Sequence, residues 1–460
     1  MLTSALARRD PSRASRRDAE WFEALRAREF ARLDRSGEAY LDYTGSALYA
    51  ESQVRGHLEY LADSVLGNPH SQSVASLRST EHIEDARRLT LAFFAADPAE
   101  YEVIFTANAS GALRLVGEAF AFGHGSRLVL SSDNHNSVNG IREIALARGA
   151  EVRYAQLDDE LRLEGEERLL TRVTAPSLFA YPAQSNFSGV QHPLGLVEGA
   201  HRAGYAVLLD AAAFVPTNAL RLDEVHPDFV ALSFYKMFGY PTGVGALIVR
   251  REALAALRRP WFAGGTVEFV SIQNRTHMFK AGAEGFEDGT PNFGAIAALP
   301  AGFELLGGIG MDNVKSRMGQ LTTMLLAELS ALRHSTGRSM TTIHGPADGR
   351  ARGATVAFNV MDRYGRVVPY QRVEQQALAS GVSIRGGCFC NPGAAERAFG
   401  FPAAETSACM ERARREGFSV EAFAECLGGE TAVGAVRASL GIASNERDIQ
   451  RLLAVVTGCC

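Results

Sequence analysis

The chain has 460 residues, of which 46% are hydrophobic and 22% charged. This composition is typical of a globular protein with one large domain and a smaller partner, or with two or three domains. The net charge of −5 argues against nucleic-acid binding. The sequence contains neither a membrane-length apolar run nor an N-terminal secretory stretch, so we expect a cytoplasmic protein.

Residues 1–40 are predicted to form an arm that ends in a helix, because apolar residues recur at helical spacing from Ala19 to Leu33. From residue 41 to about 300, short apolar runs alternate with helical patterns. This alternation predicts an α/β domain with a mostly parallel, seven-stranded sheet covered on both faces. The expected strands are Glu102–Thr106, Arg127–Ser131, Glu151–Ala155, Ser177–Tyr181, Ala206–Asp210, Phe229–Leu232 and Gly245–Val249.

Residues 301–460 begin with long helical patterns and then mix short strands with helices. Strands are predicted near Ala354–Val360, Val382–Arg385 and Gly434–Ser439. Helices are predicted near Val373–Ala379 and Asn445–Val455. We therefore expect a smaller α+β domain at the C-terminal end of the chain.

The six cysteines are too few for a disulfide scaffold in a chain of this length. Cys409 and Cys426 stand alone in sequence, and we expect both to be small buried apolar side chains. The remaining cysteines occur as two close pairs, one around Phe389 and one at residues 459–460. These spacings suit a tetrahedral metal site poorly, so no metal is expected.

Lysine is scarce: three lysines accompany forty-four arginines. Arginine cannot form a Schiff base, because its guanidinium stays protonated. Lys236 follows the apolar run Phe229–Leu232 and precedes a glycine- and proline-rich turn, which indicates the end of a buried strand. Lys236 is therefore the candidate for imine chemistry, with a surface lysine as the alternative interpretation.

Asp210 ends another apolar run, Ala206–Asp210, so its carboxylate is predicted at the carboxyl end of a buried strand. An aldehyde-bearing pyridine cofactor needs a lysine for the imine and a carboxylate that keeps the ring nitrogen protonated. The pair Lys236 and Asp210 is therefore a stronger signal than either residue alone.

The segment Phe105–Gly111 follows a strand and opens a helix. Small residues and free N–H groups at a helix N-terminus favour a bound phosphate, and Ser110 adds a hydroxyl. A simple helix cap without a ligand explains the same residues.

Together these motifs resemble the class V aminotransferase superfamily of fold-type-I enzymes that depend on pyridoxal 5′-phosphate. The resemblance runs from about Tyr40 to Leu453. Within the superfamily, the string Cys388-Phe-Cys390-Asn-Pro-Gly and the sequence Ser-Phe-Tyr-Lys236 are most similar to the N-terminal, cysteine-desulfurase-like domain of molybdenum cofactor sulfurases.

The resemblance implies a role for each matching position. Lys236 holds the cofactor as an imine and moves protons, Asp210 pairs with the ring nitrogen, and His135 stacks on the ring. Asn186 lies near the ring hydroxyl, and Thr290 reaches the phosphate of a neighbouring subunit, which implies a homodimer with shared sites. The phosphate ligands implied are Ala109, Ser110, Ser233 and Tyr235.

The same resemblance assigns Arg437 to the substrate α-carboxylate, for which a guanidinium fork is well suited, with Arg385 nearby. It places the desulfurising cysteine five residues after Arg385, at Cys390, on a glycine-rich loop that we expect to be mobile. A pair of buried structural thiols at Cys388 and Cys390 is the alternative.

The implied reaction converts L-cysteine to L-alanine and leaves a persulfide on Cys390. Alternatives on the same scaffold are β-elimination from a cysteine conjugate, or transamination in specialised metabolism. Two positions depart from typical desulfurases: Ala213 replaces a glutamine, and Tyr235 replaces a histidine. The sequence leaves open which protein or cofactor accepts the sulfur, and the roles of Cys388, Cys459 and Cys460.

Overall fold

The computed structural model describes residues 17–429 and 432–459. Residues 1–16 of the predicted arm, and Cys460, lie outside this part of the chain. Within it the strands are β1 Ala39–Tyr40, β2 Tyr101–Thr106, β3 Arg127–Ser131, β4 Glu151–Leu157, β5 Leu163–Glu164, β6 Leu178–Pro182, β7 Ala206–Asp210, β8 Phe229–Ser233, β9 Gly245–Arg250, β10 Val267–Ser271, β11 Thr276–Phe279, β12 Thr341–His344, β13 Thr355–Met361, β14 Val367–Val368, β15 Val382–Ser383, β16 Arg385–Gly387 and β17 Ala435–Ser439.

Helices cover much of the remaining described chain, together with a 3₁₀ turn at Gly282–Phe286. The helices are α1 Ala19–Glu29, α2 Arg32–Ser36, α3 Glu51–Asp63, α4 Val74–Phe93, α5 Ala109–Ala119, α6 Asn136–Asn139, α7 Ile141–Ala147, α8 Glu166–Leu169, α9 Leu196–Ala203, α10 Phe234–Phe238, α11 Arg251–Ala256, α12 Phe293–Ile296, α13 Leu299–Ile309, α14 Met311–Ala331, α15 Tyr370–Ala379, α16 Pro392–Phe399, α17 Ala403–Glu416, α18 Val420–Cys426 and α19 Glu446–Gly458.

The large sheet has the strand order β2-β9-β8-β7-β6-β3-β4-β5 in the described residues. Strands β4, β3, β6, β7 and β8 are mutually parallel, whereas β9 is antiparallel to both β2 and β8. The predicted α/β class is confirmed, and each predicted strand of this sheet is present. The eighth strand, β5, was not predicted because it is two residues long and pairs only at the sheet edge.

Both faces of this sheet are covered, as the continuous apolar strands require. Consecutive residues of a strand pack into the cores on opposite faces of the sheet. In β7, Leu209 packs on one face and Leu208 on the other; in β8, Val230 packs with Leu209, and Ala231 with Leu208. In the register, Asp210 lies opposite Ala231, so the carboxyl ends of β7 and β8 are adjacent. The segments that follow these two strands therefore meet at one edge of the sheet.

A second, antiparallel sheet has the order β12-β13-β17-β16, with β14 also paired to β13. Its core includes α14 and α19, and also Phe22 and Leu25 of α1. Strand β1 pairs with β15, where Ala39 lies opposite Val382. The N-terminal helix and strand therefore pack against the C-terminal part of the chain, while the domain boundaries at residues 40 and 300 stay a prediction.

The expectation for Cys409 and Cys426 as isolated apolar side chains is wrong. The two form a disulfide across a sequence separation of 17 residues. Helices α17 and α18 pack against each other and bring the two thiols together. A spacing of 17 residues does not by itself indicate that two helices pack together, so sequence alone offered no reason to pair these cysteines.

No single helix of the described residues is long and apolar enough to cross a membrane. The segments Phe293–Ile309 and Met311–Ala331 together are long and apolar enough to span a membrane, but the chain bends by 69° between them. Both helices contribute side chains to the buried cores, among them Leu306 and Leu325.

A buried ion pair joins the first and last described helices. Arg26 Nη1 donates to Asp448 Oδ2 at 2.6 Å, and the two side chains are 4% and 3% exposed. We predict that Asp448→Asn lowers the free energy of unfolding by about 3 kcal/mol, because it leaves the buried Arg26 guanidinium with only the half-exposed Asp34 as a carboxylate partner. Denaturant unfolding measures this, with Asp348→Asn as the exposed control that should unfold like the wild type. Equal stability of Asp448→Asn and the control would contradict this account of the pair.

Candidate functional site

A cavity of about 140 Å³ lies at the edge of the large sheet where β7 and β8 end. It is small, partly enclosed and mainly polar. Its lining contains every cofactor-binding residue predicted from the sequence except Thr290. The lining residues are Asn108, Ala109, Ser110, Leu113, His135, Pro182, Gln184, Asn186, Asp210, Ala212, Ala213, Ser233, Tyr235 and Lys236.

Lys236 lies in the single turn of helix α10 that directly follows β8. The lysine is partly open to the cavity, yet the surrounding protein removes enough water to lower its pKa from the ordinary value. Asp210 opposes this shift, and the positive charges of Arg437 and Arg385 add to it. A lower pKa increases the fraction of neutral amine, which is the form that condenses with an aldehyde.

Asp210 is 8% exposed at the end of β7, and its Oδ1 accepts the backbone N–H of Ala212 at 3.0 Å. It acts electrostatically on both Lys236 and His135. The three side chains therefore face one small volume. This agrees with the sequence-based pairing of Lys236 and Asp210 across adjacent strand ends.

His135 caps the short helix α6, and its Nδ1 accepts the backbone N–H of Ser137 at 3.1 Å. Burial lowers the pKa of His135, opposed by the charge of Asp210. The neutral ring therefore carries its proton on Nε2, because Nδ1 is the acceptor. A neutral imidazole with one free N–H can lie against a ring or donate a proton to a bound substrate.

A candidate anion site lies at the N-terminus of α5, an eleven-residue helix capped by Asn108. The backbone N–H of Ala109 donates to Ser233 Oγ at 2.8 Å, and Ser110 Oγ lies 2.6 Å from Ser137 Oγ. The hydroxyl of Tyr235 also hydrogen-bonds to Ser233. Hydroxyls and a helix N-terminus that converge in this way suit a phosphate group.

Cys390 is an exposed free thiol on the loop between β16 and α16. Phe389 and Cys390 both have φ near 56°, a left-handed conformation that costs non-glycine residues roughly 1 to 2 kcal/mol each. Two hydrogen bonds offset this strain: Asn186 Nδ2 donates to Phe389 O, and the N–H of Asn136 donates to Cys390 O, both at 2.7 Å. The loop is thus docked onto two segments of the cavity wall, while its mobility stays a prediction.

A buried polar network holds the C-terminal end of this loop. Asn391 is fully buried, and its Nδ2 donates to Asp133 Oδ1 at 2.7 Å and to Asn186 Oδ1 at 3.0 Å. The same Asp133 carboxylate accepts from Ser185 Oγ at 2.7 Å and from His192 Nε2 at 2.8 Å. Sequence reasoning missed Asp133 and Asn391, although the Asn-Pro-Gly string marked the loop.

The two thiols of the loop differ in environment. Cys388 is half-buried, and its Sγ donates to Val433 O at 3.2 Å. Burial raises the pKa of Cys388 to about 11, so its thiolate is scarce at neutral pH. Cys390 is exposed and acts electrostatically on Lys236 and Arg437. Of the pair, Cys390 is therefore the better placed nucleophile.

Arg437 is a buried side chain on β17 whose Nη1 donates to Asn186 O at 2.9 Å. Burial lowers the pKa of Arg437, and Asp42 opposes that shift. Asp42 also contacts Arg385, which is half-exposed. The sequence-predicted arginines are thus brought together, and Asp42, which sequence reasoning did not single out, lies between them.

Gln184 is the further polar residue that sequence reasoning missed in the cavity. Its Nε2 donates to the backbone oxygen of Ala213 at 2.9 Å. Ala213 is the position at which typical desulfurases have a glutamine. Gln184 therefore places a side-chain amide beside Ala213, whose own side chain cannot form a hydrogen bond.

Thr290 does not line the cavity in the described part of this chain. It is exposed, accepts from Asn68 Nδ2 at 3.1 Å, and borders a separate cavity of about 400 Å³.

The model of the Aminotransferase class-V family matches residues 39–452. The chain belongs to this family. The resemblance based on the motifs is confirmed, and the protein is an enzyme of fold-type-I architecture with pyridoxal phosphate as its cofactor.

Two kinds of relative refine this assignment. The chain is 36% identical to the molybdenum cofactor sulfurase of Bos taurus over 93% of its own length and 51% of that protein, so it spans about half the length of this curated relative. Among solved structures, the apo cysteine desulfurase of Thermococcus onnurineus NA1 aligns with a TM-score of 0.77 at 25% identity, covering 97% of this chain and all of that one (100%). A C-DES mutant with glycine covalently linked to its PLP cofactor shares the fold, with a TM-score of 0.70, 17% identity, and coverage of 94% and 98%.

We predict that the altered pKa of Lys236 appears in the stability of the cofactor-free protein. The folded state binds this proton less tightly than the unfolded chain, whose lysine titrates near 10.5. Relative to Lys236→Met, the unfolding free energy of the wild type should therefore rise with pH up to about 10.5, by at most about 1.4 kcal/mol per pH unit. Chemical unfolding at several pH values measures the difference. The exposed Lys315→Met control should keep the wild-type profile, and a parallel profile for Lys236→Met would show that burial does not perturb Lys236.

Proposed function

We propose that this protein is a cysteine desulfurase that takes sulfur from L-cysteine and holds it as a persulfide on Cys390. The observation that carries the proposal is an exposed thiol on a loop docked against the cavity of Lys236. The relationship to molybdenum cofactor sulfurases and the fold shared with cysteine desulfurases support it.

The residues of the cavity fit pyridoxal phosphate. The N-terminus of α5 and the hydroxyls of Ser110, Ser233 and Tyr235 suit its phosphate, and Asp210 suits its ring nitrogen. Lys236 supplies an amine of lowered pKa for the aldehyde. When bound, the cofactor supplies an electron sink that stabilises negative charge on the substrate.

The chain binds and orients the amino acid through Arg437, whose position beside Asn186 fixes where a carboxylate can lie. Lys236 is then the base for the α-proton, because burial lowers the pKa of its amine, which favours the neutral form, and because the amine lies within the cavity. His135 carries its proton on Nε2 and can pass a proton to the substrate. Each of these groups acts at an atom near the substrate α-carbon.

The sulfur-transfer step needs no external oxidant. The Cys390 thiolate bonds to the substrate sulfur, and the bond between that sulfur and the β-carbon breaks. The electron pair of the broken bond stays on the β-carbon, which takes up a proton, so the carbon is reduced as the Cys390 sulfur is oxidised. The amino acid leaves as L-alanine, and the persulfide is exposed for an acceptor.

We also propose that the working enzyme is a homodimer. Thr290 borders a cavity of about 400 Å³ outside its own Lys236 site. The neighbouring β10–β11 hairpin exposes Phe269, Ile272 and Met278, which are 64%, 84% and 59% exposed. Apolar side chains clustered in this way are typical of a protein interface. A second copy packed there could present Thr290 to the phosphate of its partner.

We predict that Cys390→Ser abolishes persulfide formation and lowers L-alanine production from L-cysteine by at least about 100-fold, because serine cannot accept sulfur. Cys388→Ser is the matched control and should retain most of the activity, since Cys388 is half-buried with little thiolate. Alanine release and persulfide are measured on the purified, cofactor-loaded proteins.

Undiminished alanine formation by Cys390→Ser, with sulfide released freely, would remove the thiol from the reaction. Pyruvate and ammonia as products would instead identify a β-eliminating lyase. A requirement for a keto acid would identify a transaminase.

For the dimer, we predict complementation between two impaired variants. Lys236→Met is inactive, and Thr290→Ala should bind cofactor about tenfold more weakly, because a hydrogen bond to a charged group contributes roughly 1.5 kcal/mol or more. A mixed dimer contains one site with both native residues, so mixing and re-equilibrating the variants should restore activity. Thr342→Ala, at an exposed position of β12, is the control for cofactor binding. A monomer in solution, or no recovery on mixing, would contradict the shared site.

A further inference from the structure

The carboxylate of Asp42 bridges the two arginines that flank the cavity. Oδ1 accepts from Arg437 Nη2 at 3.0 Å, and Oδ2 accepts from Arg385 Nε at 3.0 Å. Oδ1 also accepts from Arg385 Nε at 3.2 Å, and Oδ2 accepts from Arg385 Nη2 at 2.5 Å, so the two guanidinium groups share the carboxylate as they would share a free one. Asp42 lies just beyond β1, far from both arginines in sequence.

Gly45 permits this arrangement. A Cβ atom at position 45 would lie 2.6 Å from an oxygen of Asp42 and 2.6 Å from Arg385 Nη2. The turn after Asp42 is therefore closed tightly around the ion pair. The side chain of Asp42 is 11% exposed, so little water competes with it for the arginines.

Arg437 still has unused hydrogen-bonding capacity. Its side chain is 3% exposed, and its buried Nε makes no hydrogen bond with any described residue. Its remaining nitrogens contact one oxygen of Asp42 and the backbone of Asn186. A buried guanidinium N–H without an acceptor is costly, and an incoming carboxylate would satisfy it.

We propose that Asp42 is a resident carboxylate that occupies the arginine pair in the resting enzyme and competes with the α-carboxylate of the substrate. This inference rests on the proposed amino-acid substrate. Substrate entry then exchanges one carboxylate for another at Arg437, while Asp42 keeps its ion pair with the half-exposed Arg385. Asp42 therefore sets how tightly the enzyme holds any amino acid, and it keeps two positive charges paired when the site is empty.

If the two carboxylates compete for Arg437, removing the charge of Asp42 should strengthen the binding of an amino acid rather than weaken it. Asp42→Asn keeps the size of the side chain and removes the competing charge, so L-alanine should bind to the cofactor-loaded variant about tenfold more tightly than to the wild type. Asp42→Glu, which keeps the charge, should not show tighter binding. Titration of the cofactor absorbance with L-alanine gives the affinities, and thermal unfolding of each cofactor-free variant reports folding.

A purely structural role for Asp42 predicts the opposite, since a misplaced Arg437 would bind L-alanine more weakly. Equal or weaker binding by folded Asp42→Asn therefore overturns the proposal. If that variant does not fold, wild-type protein still decides the matter. Because Asp42 must be displaced first, the carboxylate of a ligand adds little net binding free energy. The wild type should therefore bind L-alanine less than about tenfold more tightly than ethylamine, which lacks the carboxylate. A difference in affinity of about 100-fold or more would contradict competition.

The same titrations separate this inference from the proposed function. If wild-type protein binds no amino acid, both fail together. If the wild type binds L-alanine and Arg437→Lys weakens that binding, the carboxylate site stands, and only the result for Asp42 decides the competition.

Discussion

The site depends on one constraint: an amine and a carboxylate are held at adjacent strand ends, partly removed from water. Burial lowers the pKa of Lys236, and Asp210 limits that shift. The parallel register of β7 and β8 fixes where the two residues emerge. Because both strands are buried on two faces, neither end can move without disturbing the packed core. A rigid sheet edge thus holds an amine whose pKa lies below its ordinary value.

The loop of Cys390 is attached to this edge by hydrogen bonds from the cavity wall. The side-chain amide of Asn186 donates a hydrogen bond to the loop, and the backbone oxygen of Asn186 accepts one from Arg437. Asn186 therefore contacts the loop of Cys390, Arg437 and the cavity. The left-handed conformation at Phe389 and Cys390 is maintained against its cost only while these contacts hold.

Sequence alone predicted the features whose signals are local. The large-sheet strands, Lys236, Asp210 and the start of α5 were recognised from apolar runs and the residues that end them. Features set by distant parts of the chain were missed. Asp42 and Arg437 are 395 positions apart, and Asn391 and Asp133 are 258 apart, so no spacing indicated either contact. The disulfide between Cys409 and Cys426 likewise depends on how two helices pack, which their apolar pattern did not show.

The central claim is that Cys390 receives sulfur from L-cysteine. The most direct measurement incubates the cofactor-loaded protein with L-cysteine carrying isotopically labelled sulfur, then maps the tagged peptides by mass. The account predicts one labelled sulfur atom on the peptide that contains Cys390, removable by a thiol reductant, with L-alanine formed in equal amount during a single turnover. Label on Cys388 or Cys459 alone, or alanine without any labelled peptide, would contradict it.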